Sequence, residues 1–241
     1  MYYYRLISSM LKATVSTLLT GLYAVYKAES NANDSLGVYN GTAQGGLTYT
    51  TGKSGNTFTF NGTTGLIELP NSSFDFMGDF SISAWVKIPS TPSTSGYIFS
   101  NYNFDVTTSY GYVLYINTNR TISFFVGGLV GSSTVTSTTT LALDTWYHVA
   151  VKRDSVAKRS DLYINGVLEA QAINTGLTIG YGTRAIQPTI GATRNNNQGV
   201  LTISNYFNGN IDEVNLWTKQ LTATEVTELY NSGTGKFYPT F

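Results

Sequence analysis

Asp212 and Glu213 stand side by side in "FNGNIDEVNLWTKQLTATEVTELYNSG", residues 207–233. Adjacent acids could act as an acid–base pair, hold a metal or anchor the scaffold. Few other residues offer chemistry: the 241-residue chain has 14 Asp plus Glu, one histidine and no cysteine. If residues 210–217 form a strand, successive side chains point to opposite faces. Asp212 then lies with Val214 and Leu216, and Glu213 with Asn215. Retaining glycosidases need two carboxyl groups facing each other about 5 Å apart, so the expectation is no catalytic pair and no enzyme. A carboxylate beside an apolar face is costly unless N–H groups, a cation or a metal neutralise it. Asp212 should therefore have a partner.

The loop "NANDSLGVYNGT" (31–42) could supply one through Asp34. Calcium takes six to eight hard oxygen ligands from such groups, while Asx-turn hydrogen bonding would use the same residues without a metal; both readings stand at this point. His148, in "TWYHVAVKR", has no G-x-S-x-G motif or paired acid to work with and is expected to pack structurally. "GGLVGSS" and "GLTIGYG" lack the Lys and following helix of a phosphate loop. Tyr97, Tyr102, Tyr110, Tyr181 and Tyr206 flank polar loops, where rings could stack on sugars while Asn and Thr bind hydroxyls. The alternative for each is a ring capping the core with its OH in water.

The totals narrow the function classes. Fourteen Lys plus Arg balance the fourteen acids, so no global field favours nucleic acid or an anionic membrane. With 12% charged and 14% aromatic residues, the surface is rich in hydroxyls and amides, which suits sugar or protein contacts. Absence of Cys leaves stability to packing and a bound ion. No window reaches the ~18 apolar residues of a membrane helix. The first 22 residues lack the unbroken apolar run and cleavage site of a signal peptide. Leu6, Met10, Leu11, Val15, Leu18 and Leu19 instead follow helical spacing. Residues 1–21 are expected to form an arm that docks on a partner or packs on its own domain.

Beyond residue 22 the chain alternates in short β-type runs. "DFSISAWVKI" sets Phe80, Ile82, Ala84, Val86 and Ile88 on one face, as a half-buried strand; "YGYVLYIN" and "TISFFVG" place Tyr112, Leu114, Ile116, Ile122, Phe124 and Val126 likewise. Asn165-Gly166 in "DLYINGVLEA" predicts a hairpin with a type I′ turn. Thr222 with Glu225 forms a capping box before the stripe Val226, Leu229, Tyr230, so a helix ending near Gly233 is expected. Stretches 90–96, 103–109, 131–140 and 193–200 are expected loops. Many short strands with one helix predict an all-β sandwich or jelly roll.

The order of "LYAVYKAESNANDSLGVYNGT", "GKSGNTFTFNGTTGLIELP", "GDFSISAWVKI", "TWYHVAVKRD", "LYINGVLEA", "TIGA" and "FNGNIDEVNLWTKQLTATEVTELYNSG" resembles the laminin-G-like branch of the concanavalin A-like lectin/glucanase superfamily, over residues 22–235. The resemblance implies a jelly roll of two curved antiparallel sheets, usually non-catalytic and often binding carbohydrate or protein. It also implies a structural calcium at positions matching Asp34 and Asp212, although "YKAE" puts Glu29 where relatives carry Asp. The lead "STLLTGLYAVYKAE" into the domain resembles proteins carried on tailed-bacteriophage particles. That implies a module on the virion surface, made in the host cytoplasm, contacting other virion proteins through residues 1–21 and surface carbohydrate through its loops. A capsid-decorating or fibre protein without sugar binding is the alternative, and homo-oligomerisation is compatible with both.

Overall fold

The computed structural model describes residues 16–104, 109–181, 187–197 and 200–241. Leu6, Met10, Leu11 and Val15 of the expected arm lie outside them. In chain order the strands are β1 (Leu22–Tyr26), β2 (Thr42–Gln44), β3 (Thr48–Thr51), β4 (Asn56–Asn61), β5 (Leu66–Glu68), β6 (Phe80–Lys87), β7 (Gly96–Phe104), β8 (Ser109–Ile116) and β9 (Ile122–Val130). They continue with β10 (Ser132–Thr136), β11 (Tyr147–Asp154), β12 (Arg159–Ile164), β13 (Val167–Ile173), β14 (Thr178–Ile179), β15 (Thr189–Ile190), β16 (Thr193–Asn197), β17 (Val200–Ser204) and β18 (Asn208–Trp217); helix α1 spans Ala223–Tyr230.

Two antiparallel sheets carry the fold. The first runs β13-β12-β11-β6-β18-β4-β3, with β1 joining β18; the second runs β10-β9-β8-β7-β15-β5-β2, with β14 on β9. Period-2 alternation sends Phe58, Ile82, Val149 and Leu216 from one sheet against Phe99, Leu114, Phe124 and Val126 from the other, into one core. This is the expected all-β jelly-roll sandwich. Asn165 (φ 50°) and Gly166 (φ 79°) both adopt the left-handed conformation of a type I′ turn between β12 and β13.

Several local expectations changed. β6 is buried on both faces: on its outer side Trp85 stacks on Tyr230 of α1, and Ser81 Oγ donates to Lys219 O and accepts from Leu221 N. There Leu18, Ala150, Tyr163, Trp217, Val226 and Leu229 form a second apolar cluster. Residues 16–21 thus belong to the domain: Leu18 is buried and its carbonyl accepts from Trp217 Nε1 at 2.7 Å. Stretch 131–140 contains edge strand β10, and 193–200 contains β16, which pairs with β17 as a separate hairpin. Their Ser, Thr and Asn side chains suit strands that need no second buried face. The capping box is present, with Thr222 Oγ1 accepting from Glu225 N and Glu225 Oε2 from Thr222 N. Asn231 in left-handed conformation closes α1, two residues before Gly233.

Candidate functional site

Two arrangements bear on function: an aromatic outer face ending in a polar pocket, and a buried acid centre. Both grow from strand periodicity and from places where it breaks.

On the second sheet Tyr112, Leu114 and Ile116 turn inward, so Tyr115 must turn outward. Tyr115 pairs across the strands with Tyr97, and their ring centroids lie 5.4 Å apart at 42°. Further along the same outer face, Tyr102 meets the edge of Phe125 at 5.2 Å and 81°. Gly111 and Gly127 oppose each other next to Tyr102, so no side chain rises there beside the rings. Burial, with the neighbouring Tyr102 and Tyr115 hydroxyls, pushes Tyr97 up to about 12. Its hydroxyl is neutral at ordinary pH and can both donate and accept.

Tyr97 N donates to Asn205 O at 2.9 Å, which ties this platform to a neighbouring pocket of about 260 Å³. Tyr206, Asn208, Asn61, Ser90, Ser93 and Thr94 line it, and none of its lining residues is charged. Its volume lies just below the ~300–1,000 Å³ typical of small-molecule sites.

The five sequence-predicted tyrosines therefore separate. Tyr97 and Tyr102 share the outer face, and Tyr206 lines the pocket beside it. Tyr110 pairs with Asn103 at the far end of β8 and shares the inward parity of Tyr112. Tyr181 is a correction: it is 7% exposed within the core, and its hydroxyl donates to Phe76 O at 2.9 Å. Tyr115 and Phe125 were missed, although the alternation in "YGYVLYIN" and "TISFFVG" implies their direction.

The acid centre overturns the expected placement of Asp212 on the face of Val214 and Leu216. Glu213 has φ 49°, and pairing of β18 with β6 slips between Asp212 and Asn215, the signature of a bulge with one extra residue. Beyond it the phase is reset, and Asp212 lies opposite Trp85 rather than on the inward side of Val214 and Leu216. Its Oδ2 accepts from Lys53 N (2.8 Å) and Ser54 N (3.2 Å), and its Oδ1 from Glu213 N (2.9 Å). The 52–55 turn can approach so closely because a Cβ on Gly52 would stand 2.4 Å from Asp212 Oδ2.

Glu213 is 1% exposed, and among the described residues neither of its carboxylate oxygens has a hydrogen-bond partner. Burial pushes Asp212 up to about 7 despite its three N–H donors. It also pushes Glu213 up to about 8, helped by the charge of Asp212. Both acids are buried, and the charge of Asp212 adds to the rise at Glu213. At 0% and 1% exposure, neither can touch a substrate.

Asp34 does not join them. Its Oδ1 accepts from Val25 N (2.9 Å) and Leu36 N (3.0 Å), and its Oδ2 from Val38 N (3.2 Å) and Tyr39 N (3.1 Å). Four donors occupy the carboxylate's lone pairs, the Asx-type role that the sequence also allowed. Among the described residues no three His, Cys, Asp or Glu side chains converge as a metal site. The Asp34–Asp212 pair thus does not fit calcium, and the carboxylate with unoccupied oxygens is Glu213. His148 is buried against Trp85, ring centroids 5.4 Å apart, and burial alone pulls it down to about 3.

The two packed sheets, with a ring-bearing face and an uncharged pocket, define a jelly-roll domain of lectin type. The chain belongs to the Concanavalin A-like lectin/glucanases superfamily, whose family model matches residues 61–227. Similar solved structures share the fold at low identity. The binding domain of botulinum neurotoxin DC in complex with SialylT is 16% identical, with TM-score 0.66 over 88% of this chain and 52% of that one. Domain 4 of AbnA, a GH43 extracellular arabinanase from Geobacillus stearothermophilus, in complex with arabinotriose, is 20% identical, with TM-score 0.59 over 90% and 98%. A Trypanosoma rangeli sialidase mutant displaying trans-sialidase activity is 19% identical, with TM-score 0.64 over 96% and 36%. The chain spans about half the length of the toxin binding domains it resembles. A comparison with curated proteins gives no match.

Proposed function

We propose that the domain is a non-catalytic carbohydrate-binding module, carried on a tailed-phage particle and facing surface glycans. The observation that carries the reading is the Tyr97–Tyr115 platform joined to an uncharged, hydroxyl- and amide-lined pocket at Tyr206. Rings offer apolar faces to sugar C–H groups, while Asn, Ser and Thr exchange hydrogen bonds with hydroxyls. Similarity to arabinanase domain 4, described with arabinotriose, supports the sugar class. Burial of both members of the acid pair supports the absence of catalysis.

The particle location rests on the resemblance of the N-terminal layout, with residues 1–15 as the segment left to dock on other virion proteins. Many weak sites on one particle would add avidity without new contacts. A glycan array with the purified chain is the test. Binding lost on Tyr97→Ala and Tyr115→Ala supports the module; a silent array with the chain still incorporated into particles favours the decorating role.

A further inference from the structure

Among the described residues Arg153 is the one arginine that the fold sinks completely: it is 1% exposed. On β11 it follows Val149 and Val151 at every second position, so it enters the edge of the core on their face. A guanidinium carries five N–H donors and cannot shed its charge. Yet among the described residues Nε is buried without a partner, and Nη1 reaches only Ser160 Oγ, at 3.4 Å. Among the described residues no carboxylate forms an ion pair with it.

The acids whose fields reach Arg153, Asp154 and Asp79, direct oxygens elsewhere. Asp79 accepts from Ser155 N (2.8 Å), Ser155 Oγ (2.7 Å) and Gln220 Nε2 (2.9 Å); Asp154 Oδ1 accepts from Val156 N and Ala157 N. A buried cation left this way is expensive unless something else pairs with it. Beside it lies a hollow of about 40 Å³, lined by Arg153, Lys158, Ser155, Met77, Leu177 and Ile179. Among the described residues two cations and no acid line it. A water molecule takes only ~10–15 Å³ by the same kind of measure, so the hollow admits a few atoms and no sugar ring.

The geometry points to an anion site in this hollow, taking a carboxylate or similarly small oxyanion between Arg153 and Lys158. The carboxylate could belong to a free acid or to an acidic sugar presenting only that group. The site lies by Phe80 at the start of β6, whereas the uncharged pocket lies by Ser90 beyond its end. It does not rest on the carbohydrate reading.

Calorimetric titration of the full chain with sodium acetate at constant ionic strength tests the site, with melting temperature as a second readout. Acetate is expected to bind and raise the melting temperature of the wild type, because it binds the native state alone. Lys158→Ala, on a turn, should weaken binding roughly tenfold, as the loss of one charge-assisted contact would. Arg153→Met, an apolar replacement of similar length, should abolish it. Displacement of acetate by sialyllactose but not by lactose would assign the site to an acidic glycan; displacement by neither, with acetate bound, would assign it to a free anion. An identical response of wild type and Lys158→Ala, or no heat and no shift in the wild type, overturns the site.

Discussion

The backbone N–H of Glu213 donates to Asp212 Oδ1 at 2.9 Å, so the bulge at Glu213 also supplies one of the three donors that hold the buried Asp212. The electrostatic consequence follows from burial. Both carboxyls prefer the protonated form when folded, at about 7 for Asp212 and about 8 for Glu213. Their unfolded values lie near the ordinary carboxylate values of ~4. A group with a raised folded value contributes its full stability below the unfolded value and loses it as pH rises through the folded one.

Stability of the wild type should therefore decline between about pH 4 and pH 8 through this pair. Glu213→Gln, which mimics the protonated acid, should flatten that decline and raise the melting temperature at pH 8–9 by several degrees. His148 acts in the opposite window: held near 3 by burial, it contributes stability above ~6.5 that is lost as pH falls. The difference between wild type and Glu213→Gln removes its share. Equal melting curves for the two proteins at pH 5 and pH 9 would refute the raised folded value of Glu213.

Asp34 should behave as a staple. Replacing it by Ala orphans four backbone N–H groups around β1 and the 36–39 loop, at a cost of roughly 3–5 kcal/mol. Denaturant unfolding measures it, and a loss below ~1 kcal/mol would contradict the role.

Chelation gives the complementary result. With Asp34 and Asp212 occupied by N–H donors, EDTA should leave the melting temperature unchanged. A fall on chelation that calcium restores in wild type, and that is absent in Glu213→Gln, would place a cation on the free oxygens of Glu213.

The outer-face tyrosines and the core tyrosine should separate cleanly. Tyr97→Ala or Tyr115→Ala should lower glycan affinity at least tenfold, the equivalent of ~1.4 kcal/mol, with little effect on stability. Tyr181→Phe should leave affinity alone and cost about 1 kcal/mol, through the lost bond to Phe76 O. Affinity following Tyr181 instead of Tyr97 would move the binding face elsewhere.

At the C-terminal helix, Thr222→Ala removes one half of the capping box and should cost about 1 kcal/mol, read from chemical unfolding.

What the sequence determined by itself is whatever nearest neighbours decide. Alternation fixed the inward set Tyr112, Leu114, Ile116 and Phe124; Asn165-Gly166 fixed its hairpin; Thr222 with Glu225 fixed the start of the helix. These signals are local, and the jelly roll follows from summing them. Only the tertiary structure decided the phase of β18, because a single left-handed residue at Glu213 resets every side chain beyond it without changing composition. It also decided which tyrosines stay on the surface: Tyr97 and Tyr181 both flank polar loops, but packing of residues far apart in the chain covers only the second. The same holds for Arg153, whose alternation marks an inward face but whose lack of a carboxylate partner among the described residues depends on where Asp79 and Asp154 turn. Burial and pairing between distant segments are properties of the folded whole, and no run of neighbouring residues encodes them.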